Sequence, residues 1–430
     1  MFFDSFDNTL SGGMLASMLH SGWSTLHLNS LFMSATFIGL TIGAALAGWM
    51  SDRYGRRFAY QFNLAIFGLM SLASALAPSM PWLIAIRFVM GIGLGAELVM
   101  GYGLIIEFVP PKQRGRYLGI MGLITGTGVF VPAMLGTFVI PYLGWRPLVV
   151  VGGVGTLWVW WLRRHLPESP RWLERVGRLA EAEEVMQGIE KAAGVQGSLP
   201  PVEETVKDEP RFVPVSVLFS KPVIRRTLLA VSANVVCLFG NYSLSAWLPT
   251  FFVSQGMSVA QSLMFNAAMM AGWIAGPLLL IFISDRIGRR WGMVTFGVLC
   301  AVFATTYPLL KSANLIIACG FLLVSAVSIF SNFALGGSPE LFPTEYRFRG
   351  GGFAQMVGRV GLIGSPFIVM SLFARFGIAG VVLTIAAGYL AVALLMAVAG
   401  IETNQQSLEA IEPEASPTPE DTIPNTVPLR

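Results

Sequence analysis

Long apolar runs separated by short polar turns recur along the chain at 2–19, 31–50, 58–77, 82–106, 117–140, 147–162, 227–252, 259–283, 291–310, 314–338, 351–373 and 378–401. A hydrocarbon layer of roughly 30 Å needs about 20 apolar residues per crossing helix. The pattern therefore predicts an all-α membrane protein of twelve transmembrane helices. It breaks once in the middle. Residues 164–222 are charged, contain Pro200-Pro201 and Glu203-Glu204, and read as helical only in patches such as 171–192. From 404 onward five prolines and little apolar patterning predict a disordered tail. The expected layout is a six-helix half over 1–163, a linker over 164–222, a second half over 223–403 and a tail over 404–430.

The first run has no basic stretch before it, so it carries no cleavable signal pattern. It starts at residue 2 and reaches only about Leu19, short for a crossing helix, which predicts that this helix begins upstream of Met1.

A basic turn between the second and third runs, Gly48-Trp49-Met50-Ser51-Asp52-Arg53-Tyr54-Gly55-Arg56-Arg57, returns as Ser284-Asp285-Arg286-Ile287-Gly288-Arg289-Arg290. Asp52 and Asp285 are 233 positions apart. The same offset relates Glu107-x-x-Pro110-x-x-x-Arg114 to Glu340-x-x-Pro343-x-x-x-Arg347. Two unrelated motifs sharing one shift indicate a duplicated membrane domain.

Composition agrees with the pattern: apolar residues make up 54% of the chain and charged residues 12%, about half the charged share of a soluble domain. Placement of charge says more than the net +4. Of 28 Lys and Arg residues, 23 fall on the side of Arg53, Arg56 and Arg57, against Arg146, Lys311 and Arg375 on the other. The excess of positive charge marks the cytoplasmic side, so both termini and the linker are expected there, in a multi-pass protein of the cell membrane. Cys237, Cys300 and Cys319 all lie in apolar runs, so no disulfide framework is implied. No phosphate-binding loop appears, which disfavours ATP-driven transport, and no nucleic-acid partner or obligate protein partner is indicated. His20, His27 and His165 fall in polar turns, and no metal, cofactor or nucleophile constellation emerges to suggest an enzyme.

Charge within the apolar runs is scarce and costly. Arg87 and Arg359 are the two basic residues predicted inside the membrane, where a guanidinium costs roughly 2.5–3.5 kcal/mol even on lenient scales. Arg87 reads either as the partner of a titrating carboxylate or as a structural ion pair near a helix end. Arg359, in the glycine-rich stretch Gly358-Arg359-x-Gly361, reads either as a bidentate site for a carboxylate substrate or as a salt bridge to another helix. Asp4 and Asp7, spaced i, i+3, share one helix face, where desolvation and mutual repulsion favour proton uptake. That is the requirement of a proton-coupling site; the competing reading of Asp4 is a helix-end charge. Glu97 lies ten residues past Arg87 and on another face of its helix. A buried neutral acid, a coupling acid and a partner for Arg359 all stay open for it.

Together these motifs resemble the major facilitator superfamily over nearly the whole chain. The turn at 48–57 is similar to that family's G-x-x-x-D-R-x-G-R-R signature, and Arg87-x-x-x-Gly91-x-Gly93-x-Gly95 to its fourth-helix pattern. Pro167-Glu168-Ser169-Pro170-Arg171-Trp172-Leu173 and Pro339-Glu340-Leu341-Phe342-Pro343-Thr344-Glu345 resemble the sugar-porter-like branch. The resemblance implies two pseudo-symmetric six-helix halves around a central cavity, working by alternating access. It also implies charge clusters of Asp52, Arg53, Arg56, Glu107 and Arg114, and of Asp285, Arg286, Arg289, Glu340 and Arg347, that latch the outward-open state.

The sugar-binding residues are where the chain departs from that branch. Sugar porters carry a Gln-Gln pair and a downstream Asn in the seventh helix, which here reads Cys237-Leu238-Phe239-Gly240-Asn241-Tyr242. The fifth-helix Gln has no counterpart in Tyr117-Leu118-Gly119-Ile120-Met121. Asp4-x-x-Asp7 and Gly358-Arg359-x-Gly361 instead resemble aromatic-acid and nicotinate-type proton symporters. Asn241 and Tyr242 join Arg359 and Glu97 as candidate substrate contacts, and Asp7, Asp4 and Arg87 are the proton-coupling candidates. The expected function is proton-coupled symport of a small organic acid. A sugar or polyol symporter is the alternative, and a non-transporting receptor the remote one.

Overall fold

In a computed structural model of the chain, the residues described are 2–108, 114–164, 167–192, 215–342 and 347–401. Of these, 47–48, 52, 96–108, 114–119, 171, 175, 192, 215, 222, 284–286 and 347–348 are described by backbone alone.

Inside hydrocarbon every backbone N–H and C=O must pair within its own segment, so each apolar run is helical. The N-terminal helices are α1 (Phe2–His20), α2 (Leu26–Tyr54), α3 (Arg56–Ala75), α4 (Met80–Phe108), α5 (Arg114–Leu143) and α6 (Arg146–Arg163). Two short helices follow, α7 (Pro170–Arg175) and α8 (Leu179–Ala192), parted at Gly177. The remainder is α9 (Lys221–Ser254), α10 (Val259–Met270), α11 (Gly272–Ile287), α12 (Arg289–Thr306), α13 (Ala313–Gly337) and α14 (Arg347–Ala399). α14 is interrupted at Gly377, which leaves helical geometry and makes two arms of it. The break between α10 and α11 falls at Ala271, within one apolar run. The twelve crossing segments are thus α1–α6, α9, the pair α10–α11, α12, α13 and the two arms of α14.

Several helices outrun their apolar stretches. α2 starts at Leu26 rather than 31 and α9 at Lys221 rather than 227. Hydropathy marks only the length inside the lipid, whereas backbone hydrogen bonding continues into the polar ends. For the same reason His20 and His27 lie in helical turns, ending α1 and opening α2.

The duplication is visible in the packing. In the N-terminal half α1 packs on α5 and α6, α2 on α4, and α3 on α4 and α6. In the other half α9 packs on α14, α11 on α13, and α12 on α13 and α14, the same partners in the same order. The matched turns are each one residue long: Gly55, at φ 98°, joins α2 to α3, and Gly288, at φ 77°, joins α11 to α12. Only glycine takes that region freely.

The halves meet along α1–α9, α2–α14 and α5–α10. Among the described residues two serine contacts join them: Ser34 Oγ donates to Ile363 O (2.8 Å), and Ser30 Oγ lies between Leu26 O of its own helix (3.0 Å) and Pro366 O (3.4 Å). Both lie at the end of the bundle away from the basic turns. Pro366 lacks an N–H and frees the carbonyl of Leu362, which Ser365 Oγ takes up at 2.8 Å.

Candidate functional site

The polar face of α1 is built by spacing. Asp4, Asp7, Asn8 and Ser11 follow i, i+3, i+4, i+7 and line one wall of a cavity between the halves. α2 answers with the same spacing through Met33, Thr36, Phe37 and Leu40, while Leu94 and Tyr242 close the rest. The cavity is small, about 20 Å³, room for roughly one water. Phe37 meets Tyr242 edge-on at 4.9 Å, an aromatic contact across the two halves.

From this wall Asp7 pairs with an arginine buried behind it. Arg87 Nη1 donates to Asp7 Oδ2, with the arginine side chain fully buried and the aspartate 5% exposed. The guanidinium also lies over the Phe32 ring, 4.6 Å from its centroid, and Nη2 touches Met14 Sδ at 3.6 Å. Its Nε finds no acceptor among the described residues. α1 and α4 therefore hold opposite charges that lipid would otherwise reject, and breaking such a buried pair costs about 3–5 kcal/mol. The geometry gives Arg87 a carboxylate partner on α1, as both readings of it require. Asp4, one turn earlier, shares the cavity with Asp7.

Arg359, in the first arm of α14, is 8% exposed and lies within electrostatic reach of Tyr242 and Asp4. Among the described residues no carboxylate comes within ion-pair distance of it. Gly361 beside it faces open space. Asn241 accepts a long hydrogen bond from Ser245 Oγ (3.4 Å) and does not line the cavity. The side chain of Glu97 lies outside the described residues.

The first basic turn is tied to the start of the linker and the second within its own half. The Glu168 carboxylate accepts from the first N–H groups of α3, Arg56 N at 2.8 Å and Arg57 N at 3.2 Å, and from Ser169 N at 2.9 Å. It thus caps the positive end of the helix dipole from a distant segment. A Cβ on Gly55 would sit 2.3 Å from Glu168 Oε2, a second reason for glycine in the turn. Arg56 Nη1 donates to Ser51 Oγ (2.6 Å), and Arg53 lies near the Tyr54 ring. In the other half Arg289 Nε meets Glu340 Oε2 at 3.3 Å. Side chains of Asp52, Glu107, Arg114, Asp285, Arg286 and Arg347 lie outside the described residues.

Glu168 received no role from the sequence, although its position just after the sixth helix, on the side of the basic turn, was a usable signal. Phe32 and Met14 gave no signal, being ordinary apolar residues in apolar runs.

Two like helical halves, with a buried ion pair at the small cavity where they meet, fit a membrane transporter, and comparison with known proteins gives the same class. The family model described as "Sugar (and other) transporter" matches residues 5–415. The chain belongs to that family, within the major facilitator superfamily. It is 33% identical over 407 residues to the inner membrane metabolite transport protein YdjE of Escherichia coli K12, covering 93% of this chain and 90% of that protein. To the niacin transporter NiaP of Acinetobacter baylyi it is 32% identical over 418 residues, covering 95% and 93%. Among solved structures, that of a D-xylose–proton symporter superposes with a TM-score of 0.74 at 18% identity, covering 94% of this chain and 97% of the other.

Proposed function

We propose that this transporter carries a small organic acid, in the class of aromatic or nicotinate-like carboxylates, together with a proton. The observation that carries the reading is the buried Asp7–Arg87 pair set in the wall of the cavity between the halves. Asp7 reaches the cavity and can exchange a proton there, while Arg87 behind it cannot lose its charge. Proton uptake by Asp7 removes the counter-charge of Arg87 and so changes the contact between α1 and α4. Any conformational equilibrium that alters this contact then depends on protonation. Arg359, with Tyr242 and Asp4 near it, supplies a cation for a substrate carboxylate, and likeness to a niacin transporter supports that class of cargo.

In this reading the chain lies in the inner membrane with the basic turns, the 164–222 linker and both termini on the cytoplasmic side. The two halves, 1–163 and 223–403, rock about the cavity. The seam of Ser30, Ser34, Ile363 and Pro366 closes the far side. The clusters around Asp52 and Asp285 latch the cytoplasmic side when it closes, the Arg289–Glu340 pair of the second being made already in this structure.

The test is uptake by proteoliposomes across labelled organic acids and sugars, with and without an imposed pH gradient. Acids should accumulate only with the gradient. Asp7→Asn should abolish accumulation while sparing exchange of substrate across the membrane. Sugar accumulation would overturn the cargo, and gradient-driven accumulation by Asp7→Asn would overturn the coupling.

A further inference from the structure

Among the described residues the Arg87 guanidinium makes an ion pair, a ring contact and a sulfur contact, and of these three the ion pair alone responds to protons. The Asp7 carboxylate neutralises it, and loses that ability once protonated. The Phe32 ring at 4.6 Å and the Met14 sulfur at 3.6 Å keep their character at any pH. A ring face attracts a cation through its quadrupole, most strongly where water is excluded. Phe32 and Arg87 are both fully buried. When Asp7 is neutral, the ring becomes the main attraction left to a cation that has no water to turn to.

We propose that Phe32 is a positioning residue for proton coupling: it holds the Arg87 charge while Asp7 is protonated, and thereby sets the pH at which Asp7 takes up its proton. The inference rests on the reading of Asp7 as the proton carrier. Other charged or titratable groups at the cavity are Asp4 on α1 and Tyr242 on α9, and Arg359 on α14 lies within electrostatic reach of those two. Glu97 on α4 is described by backbone alone. The middle stretches of α2, α3, α5, α6 and α10 contribute no acidic or basic side chain. The ring is thus the feature of α2 that bears on the pair.

The position of Phe32 on its helix adds a consequence. Ser30 and Ser34 lie one turn apart on one face of α2 and make polar contacts with the other half, through Pro366 O and Ile363 O. Phe32, two residues from each, points about 200° away, towards α4. α2 therefore spans from the Arg87 cation on one face to the seam between the halves on the other. A change in how firmly Arg87 holds Phe32 is applied to the helix that carries the seam.

The test replaces Phe32 by its 4-fluoro, 3,5-difluoro and 3,4,5-trifluoro analogues, which keep the ring's shape while draining its negative face. Proton binding is read on the purified protein without substrate, as the infrared titration of the carboxyl band that disappears in Asp7→Asn. Fluorination weakens the ring's hold on Arg87 in both states, but costs more when Asp7 is neutral. The midpoint should therefore move to lower pH in steps with fluorine number, reaching about a tenfold loss of proton affinity for the trifluoro ring. Midpoints that stay put across the series, with the Asp7 band present, overturn the role of Phe32 and leave Asp7 as the carrier. If no titrating band is lost in Asp7→Asn, the carrier reading fails and Phe32 falls with it.

Discussion

Replacing Gly39 by alanine should unsettle the transporter through backbone contact alone. A Cβ built on Gly39 lies 2.1 Å from Phe88 O, 3.0 Å from Gly91 Cα and 3.1 Å from Ile92 N. All three are backbone atoms of α4, so no rotamer change relieves the overlap. Since ordinary contact begins near 3.4 Å, α2 and α4 must part by more than an ångström. Overpacking of this kind costs about 1–3 kcal/mol. Alanine's better helix propensity returns about 1 kcal/mol, and the rigid backbone clash places the cost at the upper end, so the net sign is destabilising. Gly122 in α5 provides the opposite case, because nothing lies within 4 Å of its added Cβ. Gly122→Ala should be neutral or stabilising by up to about 1 kcal/mol. The assay is thermal unfolding in detergent followed with a thiol-reactive dye, for which the buried Cys237, Cys300 and Cys319 serve as native reporters. Gly39→Ala should also slow gradient-driven uptake, because Phe88 adjoins Arg87 and a displaced α4 moves the guanidinium off Phe32. A Gly39→Ala protein melting at or above wild type would show that α2 and α4 are not packed backbone to backbone.

Two further outcomes follow from side-chain contacts. Glu168→Ala removes the acceptor for the first N–H groups of α3, and should lower stability by about 2 kcal/mol in the same unfolding assay; an unchanged melting temperature would mean that water caps the helix equally well. Arg359→Lys keeps the charge but loses the planar fork, so uptake of a carboxylate should show a raised KM, by about tenfold, with the pH midpoint of the Asp7 band unmoved. An unchanged KM would remove Arg359 from the substrate site.

Much of the fold was legible because membrane burial writes itself into composition, and because duplication copied motifs at one offset. The Asp4 and Asp7 face was legible for a similar reason: residues spaced i, i+3 on a helix share a side whatever surrounds them. Which acid meets Arg87 was not legible, since that depends on how α1 and α4 are rotated against each other. Helix length beyond the lipid escaped as well, as at α9, because hydropathy falls silent where the polar ends begin. The break at Ala271 lies inside an unbroken apolar run and leaves no mark in its pattern. Glu168 was quoted within a motif yet had no assigned partner, because backbone N–H groups carry no signature in sequence.

The one-residue joints at Gly55 and Gly288 bear on how the chain enters the membrane in the first place. With a single residue between α2 and α3, and between α11 and α12, the two arms of each hairpin have almost no slack. Neither arm can settle across the bilayer while its neighbour is still far from it. Each pair is therefore best delivered as a closed hairpin during synthesis, with the arginines beside the glycine held back on one side of the membrane as the two arms cross together.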